Sequence, residues 1–203
     1  MTEEVKVIDS QVAGIILCGG AGARMGGVDK GLQHYKGIPL VEHLITSLKP
    51  QTSSLIVSAN RNIQHYQNFD VKGLCVIQDK HSSYQGPLAG ISAALEYLLN
   101  NNLANYAVIG SCDTPLLPNN YVARLLDKIG ENSVAAAHDG ARRQNLHCLI
   151  QRRAWQDVID YFESGERAVW QWQNQHKVVE VDFSDQARAF SNINSFNDLA
   201  KLP

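Results

Sequence analysis

The sequence predicts an α/β fold, a single-domain three-layer sandwich with helices on both faces of a mostly parallel sheet. Three observations predict it. Short apolar runs alternate with amphipathic stretches over residues 12–130, the pattern of repeated β-α-β units. The amphipathic stretches repeat their apolar residues at helical spacing. No linker, internal repeat or low-complexity tract divides the 203 residues, a length that suits one domain. The layering expected is Rossmann-like.

Each element follows from local residues. Residues 12–18 form a continuous apolar run and read as a buried strand. Residues 39–49 read as a helix, with Val41, Leu44, Ile45 and Leu48 on one face and Pro39 suited to its first turn. Short strands are expected over 55–59 and 74–78. Residues 87–100 form a longer helix with Leu88, Ile91, Leu95 and Leu98 in one stripe. A strand over 106–111 leads to Asp113. A helix over 119–129 ends at Gly130, a C-cap residue. Beyond it, 134–138 and 146–151 read as strands flanking Asp139 to Arg143, either a hairpin or a strand and a crossing loop. Trp155, Val158, Ile159 and Phe162 mark a helix, and 168–176 a shorter one. A strand over 178–183 follows. Residues 195–202 read as a closing helix with Ser195 as N-cap and Asp198 three residues on.

Ligands of open parallel sheets bind outside the carboxyl ends of the strands. The segments after the strands at 18, 60, 79 and 113 should therefore meet on one rim.

Composition narrows the function classes. Hydrophobic residues are 44 % and charged residues 19 % of the chain, ordinary for a globular protein. A formal net charge of -2 argues against a general nucleic-acid binder, which shows a basic face. Four cysteines, at 18, 75, 112 and 148, form no C-x-x-C pair and match no zinc module. Cys18, Cys75 and Cys148 lie in apolar strands and read as buried reduced thiols. The N-terminus lacks a signal-peptide pattern, and no apolar run nears ~18 residues. A cytoplasmic protein without membrane attachment is expected.

The loop after the first strand carries the chemistry. Glycines stand at 19, 20, 22, 26 and 27, with Arg24 inside the loop and Lys30 just after it. Glycines bring backbone N–H groups close to a ligand, and successive N–H groups form an anion-binding concavity. The cations add charge where phosphate oxygens would lie. The loop is no dinucleotide fingerprint, because the third glycine of G-x-G-x-x-G falls on Met25. Nor does it fit a Walker loop, because Gly31, rather than Ser or Thr, follows Lys30.

Gly19-Gly20-x-x-x-Arg24-Met25-Gly26-Gly27-x-Asp29-Lys30-Gly31 resembles the signature of the molybdenum-cofactor guanylyltransferases, the MobA family. The later segments Tyr84-Gln85-Gly86-Pro87-Leu88-Ala89-Gly90, Cys112-Asp113-Thr114-Pro115, Gly165-Glu166-Arg167 and Asn192-Ile193-Asn194-Ser195 resemble its other motifs, in order. The resemblance implies a fold of the nucleotide-diphospho-sugar transferase type. It implies one nucleotidyltransferase domain over 1–203, with a nucleotide-binding half at 12–130 and a pterin-binding half at 131–203. It implies GTP and Mo-molybdopterin as substrates, Mg2+ as cofactor, and molybdenum-cofactor insertion and delivery proteins as partners.

Asp113 is the candidate catalytic and metal-binding residue, a carboxylate projecting from a strand end, where it can hold a hard cation. The plain alternative is an Asp that opens a turn. Arg24 and Lys30 complete the catalytic set as phosphate ligands. Leu17, Cys18, Gly19, Gly20, Gly27, Ser58, Asn60, Asp79, Gly86 and Gly90 join them as nucleotide-binding candidates. Asp79 can accept from the guanine ring or from ribose hydroxyls. Ser58 stands where relatives often carry Asn, and a hydroxyl cannot make an amide's bidentate contact. Gly86 and Pro87 open a helix whose N-terminus suits a phosphate. Gly90 is costly inside a helix, which calls for a packing or ligand reason. Arg142, His147, Arg167, Asn192 and Asn194 are candidates for the second substrate.

The reaction implied is attack by the pterin's terminal phosphate on the α-phosphorus of GTP. The rival readings are a related nucleotidyltransferase using CTP or a sugar phosphate, a dinucleotide-dependent oxidoreductase, and a non-catalytic GTP-binding module.

Overall fold

A computed structural model describes residues 11–19, 28–79, 85–193 and 198. Nine strands and six α-helices occur among them: β1 (Val12–Leu17), β2 (His34–Tyr35), β3 (Ile38–Pro39), α1 (Leu40–Leu48), β4 (Ser54–Ser58), α2 (Ile63–Gln67), β5 (Leu74–Ile77), α3 (Pro87–Asn100), β6 (Tyr106–Ser111), α4 (Tyr121–Ile129), β7 (Val134–His138), β8 (Arg143–Gln151), α5 (Trp155–Glu163), α6 (Val169–Gln173) and β9 (Val178–Asp182).

Seven strands form one sheet in the order β5-β4-β1-β6-β8-β7-β9. β8 is antiparallel to both β6 and β7, and the other pairings are parallel. Alternation along β1 sends Val12 and Ile16 to one face and Ala13, Ile15 and Leu17 to the other. Each face is then covered. Leu44, Ile45 and Leu48 of α1 and Val122 and Leu125 of α4 close the first. Leu88, Ile91, Leu95 and Leu98 of α3 and Trp155, Val158 and Ile159 of α5 close the second. The three-layer sandwich follows from the need to bury both faces of a parallel sheet.

The helical stripes expected in α1 and α3 are buried residue by residue. Gly130 closes α4 at φ 44. The segment after Gly130 is a hairpin, with a bulge between Ala136 and Ala137. Differences have local causes. The 119–129 helix starts at Tyr121 because Asn119 and Asn120 form the entering turn. Cys75 is half-buried rather than buried, because β5 is the edge strand. β8 begins three residues earlier than its apolar run, carried by pairing of Arg143 and Gln144 with β7. The expected helix over 195–202 lies outside the described residues, apart from Asp198. No described helix is long and apolar enough to cross a membrane.

The strand ends meet as alternation and topology require. Leu17 is paired with Ser58 on one side and Ser111 on the other, and Ser58 with Ile77. One row of carboxyl ends thus carries the segments leading to Gly19, Asn60, Asp79 and Asp113.

Candidate active site

This rim carries two depressions. The first is lined by Leu17 at the end of β1 and Gly19 beyond it, Ser58 at the end of β4 and Asn60 beyond it, Asp79 beyond β5, and Gly86, Pro87 and Gly90 of the α3 entry. Gly86 has φ 81, a left-handed conformation that favours glycine, and it turns the chain into the 14-residue α3. Gly90 has a packing reason. A Cβ there would sit 2.5 Å from Ser58 Oγ and 3.3 Å from Leu17 Cδ2, so glycine lets α3 lie against the strand ends. Asn60 and Asp79 form a reciprocal pair: Asn60 Nδ2 donates to Asp79 Oδ2 at 2.5 Å, and Asp79 N donates to Asn60 Oδ1 at 3.1 Å.

The second depression is a cleft of about 240 Å3 lined by Ser111, Asp113, Asn192 and the Arg142–His147 stretch. Ile193 N donates to Asp113 O at 2.8 Å, which brings Asn192 to the cleft. At the cleft, Lys30 Nζ lies 3.3 Å from Asp113 Oδ2, with the side chains 22 % and 20 % exposed.

His147 is 2 % exposed. Its Nε2 is 2.7 Å from Thr114 Oγ1, which also bonds Ser111 O at 2.8 Å. A hydroxyl has one proton. Thr114 makes both bonds only by donating to Ser111 and accepting from His147, which assigns the Nε2–H tautomer. Burial pushes the His147 pKa down to about 4, against an opposing pull from Asp113. The ring also stands edge-on to Phe190 at 5.3 Å. Its Nδ1 is buried and has no partner.

Two expected residues, Cys18 and Arg167, stand apart from these linings, and Arg142 lines the cleft from an exposed position. Cys18 is 5 % exposed, and alternation turns its thiol onto the α1/α4 face. Burial pushes that thiol's pKa up; only the Cys18 backbone borders the rim. Arg167 Nε donates to Gln85 Oε1 at 2.7 Å, and its guanidinium donates to the Phe162 and Glu166 carbonyls. It braces the residue before Gly86. Gly20, Arg24, Gly27 and Asn194 lie outside the described residues.

Asp29, Tyr66 and Thr114 were not singled out by sequence. Asp29 is a carboxylate 6 % exposed beside Lys30. Its place in the Asp29-Lys30-Gly31 run was the available signal. Thr114 stands in the Cys112-Asp113-Thr114-Pro115 run, whereas the Tyr66 contact to Asp29 spans 37 positions and leaves no local signal.

Among the described residues, no three His, Cys, Asp or Glu side chains cluster as metal ligands. Asp113, a partly exposed carboxylate sharing its cleft with Asn192, fits the way Mg2+ binds. That ion takes one or two carboxylates and completes its shell with waters and substrate phosphates.

The model of the MobA-like NTP transferase domain matches residues 14–180. The chain belongs to the MobA-like NTP transferase family. This MobA-like chain is 39 % identical over 188 residues to the molybdenum cofactor guanylyltransferase of Shewanella pealeana, covering 92 % of this chain and 90 % of the relative. It is 37 % identical over 195 residues to that of Cupriavidus metallidurans, covering 93 % and 92 %. Among solved structures it resembles the molybdopterin-guanine dinucleotide biosynthesis protein A of Archaeoglobus fulgidus, with TM-score 0.73, 21 % identity, and 93 % and 95 % coverage. It also resembles the 4-diphosphocytidyl-2C-methyl-D-erythritol synthase of Anaerococcus prevotii, with TM-score 0.69, 10 % identity, and 94 % and 93 % coverage. At such identities these structures share the fold, a MobA-like nucleotidyltransferase architecture.

Proposed function

We propose that the protein transfers GMP from GTP to the terminal phosphate of Mo-molybdopterin, giving the guanine dinucleotide cofactor and pyrophosphate. The observation that carries this reading is the Lys30–Asp113 contact of 3.3 Å, whose carboxylate lines the cleft. It supports a phosphate-binding cation acting beside a metal-binding carboxylate, where nucleotide and acceptor would meet.

The first depression takes the nucleotide, with the α3 N-terminus facing its phosphates. The cleft takes the pterin, where Arg142 and Asn192 offer donors to its phosphate. A phosphate oxygen of the acceptor attacks the α-phosphorus in line. The bond from that phosphorus to the bridging oxygen breaks, and pyrophosphate leaves. A phosphate monoester is already anionic, so a strong base is unnecessary. Lys30 and Arg24, with the loop amides, neutralise charge on the departing pyrophosphate. Asp113, with Asn192 beside it, would hold Mg2+, which when bound withdraws charge from phosphate oxygens. His147 stays neutral at pH 7 and acts from behind, through Thr114.

We place the reaction in the cytoplasm, since all four cysteines are free thiols, as a reducing compartment keeps them. The product would pass to molybdenum-cofactor insertion and delivery proteins. A pyrophosphate-release assay with each nucleoside triphosphate, with and without Mo-molybdopterin, tests the reading. Release is expected with GTP only and only when pterin is present. A preference for CTP would move the protein to the CTP-using relatives that share this fold.

A further inference from the structure

Lys30 sits on a one-turn 3-10 helix, Lys30–Leu32, capped by the side chain of Asp29. A turn this short cannot hold a lysine in place by its own hydrogen bonds. The sequence supplies an anchor. Asp29 Oδ1 accepts from Gly31 N at 3.1 Å and from the Tyr66 hydroxyl at 2.6 Å, and Oδ2 accepts from Asn62 Nδ2 at 3.0 Å. Tyr66 is fully buried and Asp29 nearly so. A buried carboxylate without such donors would be strongly unfavourable; three convergent donors make it a rigid node. Gly31 fits the same device, because a Cβ there would collide with the Tyr66 hydroxyl.

Two of the three donors, Asn62 and Tyr66, come from far along the chain, from the segment that follows Asn60. Asn62 holds a left-handed φ of 52 and enters α2, which carries Tyr66. The node therefore ties the Lys30 turn to the segment that brings Asn60 to the nucleotide depression. Burial raises the Tyr66 pKa further, so its hydroxyl remains a donor at every working pH.

We infer that Asp29 is a positioning residue: with Tyr66 and Asn62 it fixes the turn that aims Lys30 at Asp113 and at the triphosphate. This rests on the reading of Lys30 as a phosphate ligand. Asp29 itself faces inward, to Tyr66 and the Gly31 amide, and holds neither metal nor phosphate.

The test is a set of variants assayed by pyrophosphate release with GTP and Mo-molybdopterin, together with thermal unfolding. Misplacing a reacting group by about 1 Å can cost on the order of 100-fold, so Asp29→Ala should lose about that much kcat/KM. Tyr66→Phe, which removes one of three donors, should lose about tenfold. Asp29→Asn keeps the acceptor for Tyr66 and Gly31, and the exposed Asn62 amide can turn to match it, so this variant should recover most of the Asp29→Ala loss. In a Lys30→Met background, Tyr66→Phe should cost little more, because the group it positions is gone. Tyr66→Phe losing activity equally with and without Lys30 would make the node a plain stability element and overturn the inference. So would wild-type kcat/KM in Asp29→Ala. Near-normal turnover by Lys30→Met alone would overturn the reading of Lys30 instead, and the positioning role with it.

Discussion

Lys30 Nζ and Asp113 Oδ2 lie 3.3 Å apart although 83 residues separate them in the chain. The pair joins the turn after the glycine loop to the end of β6. Its worth to stability is small: a partly exposed ion pair contributes about 1 kcal/mol or less. Its worth to chemistry is larger, because charge-stabilising groups in a phosphoryl-transfer site typically govern ~100- to 1,000-fold in rate. Lys30→Met and Asp113→Asn should therefore keep a melting temperature within a few degrees of wild type while losing at least ~100-fold in kcat. Circular dichroism melts and pyrophosphate release measured side by side check the split. A chelator should abolish release by wild type, and Mg2+ should restore it; turnover persisting under chelation would remove Asp113 from a metal role.

The His147–Thr114 bond makes a pH prediction. His147 binds its proton with a pKa of about 4 when folded and 6.5 when exposed. The unfolded chain therefore holds more protons between these values, and stability must fall as pH drops through that window. The contribution is fully present above pH 6.5 and is lost progressively towards pH 4. At ~1.4 kcal/mol per pH unit, the loss is on the order of 3 kcal/mol. His147→Gln keeps a donor for Thr114 and cannot titrate. Urea unfolding at pH 7 and pH 5 should show a shallower pH dependence for this variant; equal slopes would refute the buried neutral ring.

How far the sequence reached can be read off particular residues. The stripes Val41-Leu44-Ile45-Leu48 and Leu88-Ile91-Leu95-Leu98 located α1 and α3 because burial on one face repeats at helical spacing. The rim was legible because parallel strands share their carboxyl ends. The β2–β3 hairpin was not: each strand has two residues, and the turn uses Lys36 and Gly37 at positive φ rather than Asn-Gly. The five-residue α2 buries only Tyr66, too little to leave a periodic signal. Among the candidate residues, Gly19, Ser58, Asn60, Asp79 and Asp113 were legible as neighbours because each lies at or just after a strand end. Tyr66 is not legible because its contact to Asp29 is a tertiary hydrogen bond, which no local pattern encodes, and the motifs that contain Asp29 and Thr114 do not show what their side chains touch.

The Asn60–Asp79 pair predicts nucleotide choice. The Asp79 carboxylate is held by the Asn60 side chain at the rim of the first depression. If it accepts from the exocyclic amine of guanine, ITP, which lacks that amine, should be a poorer substrate than GTP. A hydrogen bond to a charged group is worth ~1.5–3 kcal/mol, or about tenfold to a hundredfold in kcat/KM. Asp79→Asn should erase most of that preference by weakening GTP alone. Equal losses for GTP and ITP would move the contact to the ring N1–H, which both bases carry, or to the ribose.

Gly90→Ala sets two effects of known sign against each other. Alanine in a helix interior is favoured over glycine by ~1 kcal/mol, which on an open surface would stabilise α3. At this position the new methyl would lie 2.5 Å from Ser58 Oγ and 3.3 Å from Leu17 Cδ2. Ser58 is 3 % exposed and Leu17 6 %, so both are packed on most sides, and overpacking of this kind costs ~1–3 kcal/mol. The steric cost outweighs the helix gain. The variant should melt lower than wild type, and α3 should shift off the strand ends that line the nucleotide depression. The KM for GTP should then rise about tenfold, as for the loss of one good contact, with little change in the KM for the pterin. Adding Ser58→Ala removes the 2.5 Å clash and leaves neighbours at 3.3 and 3.4 Å. The double variant should therefore regain most of the lost melting temperature. A Gly90→Ala variant that melts above wild type would show that the helix moves freely over β1 and β4, and that Gly90 sits there for some reason other than close packing.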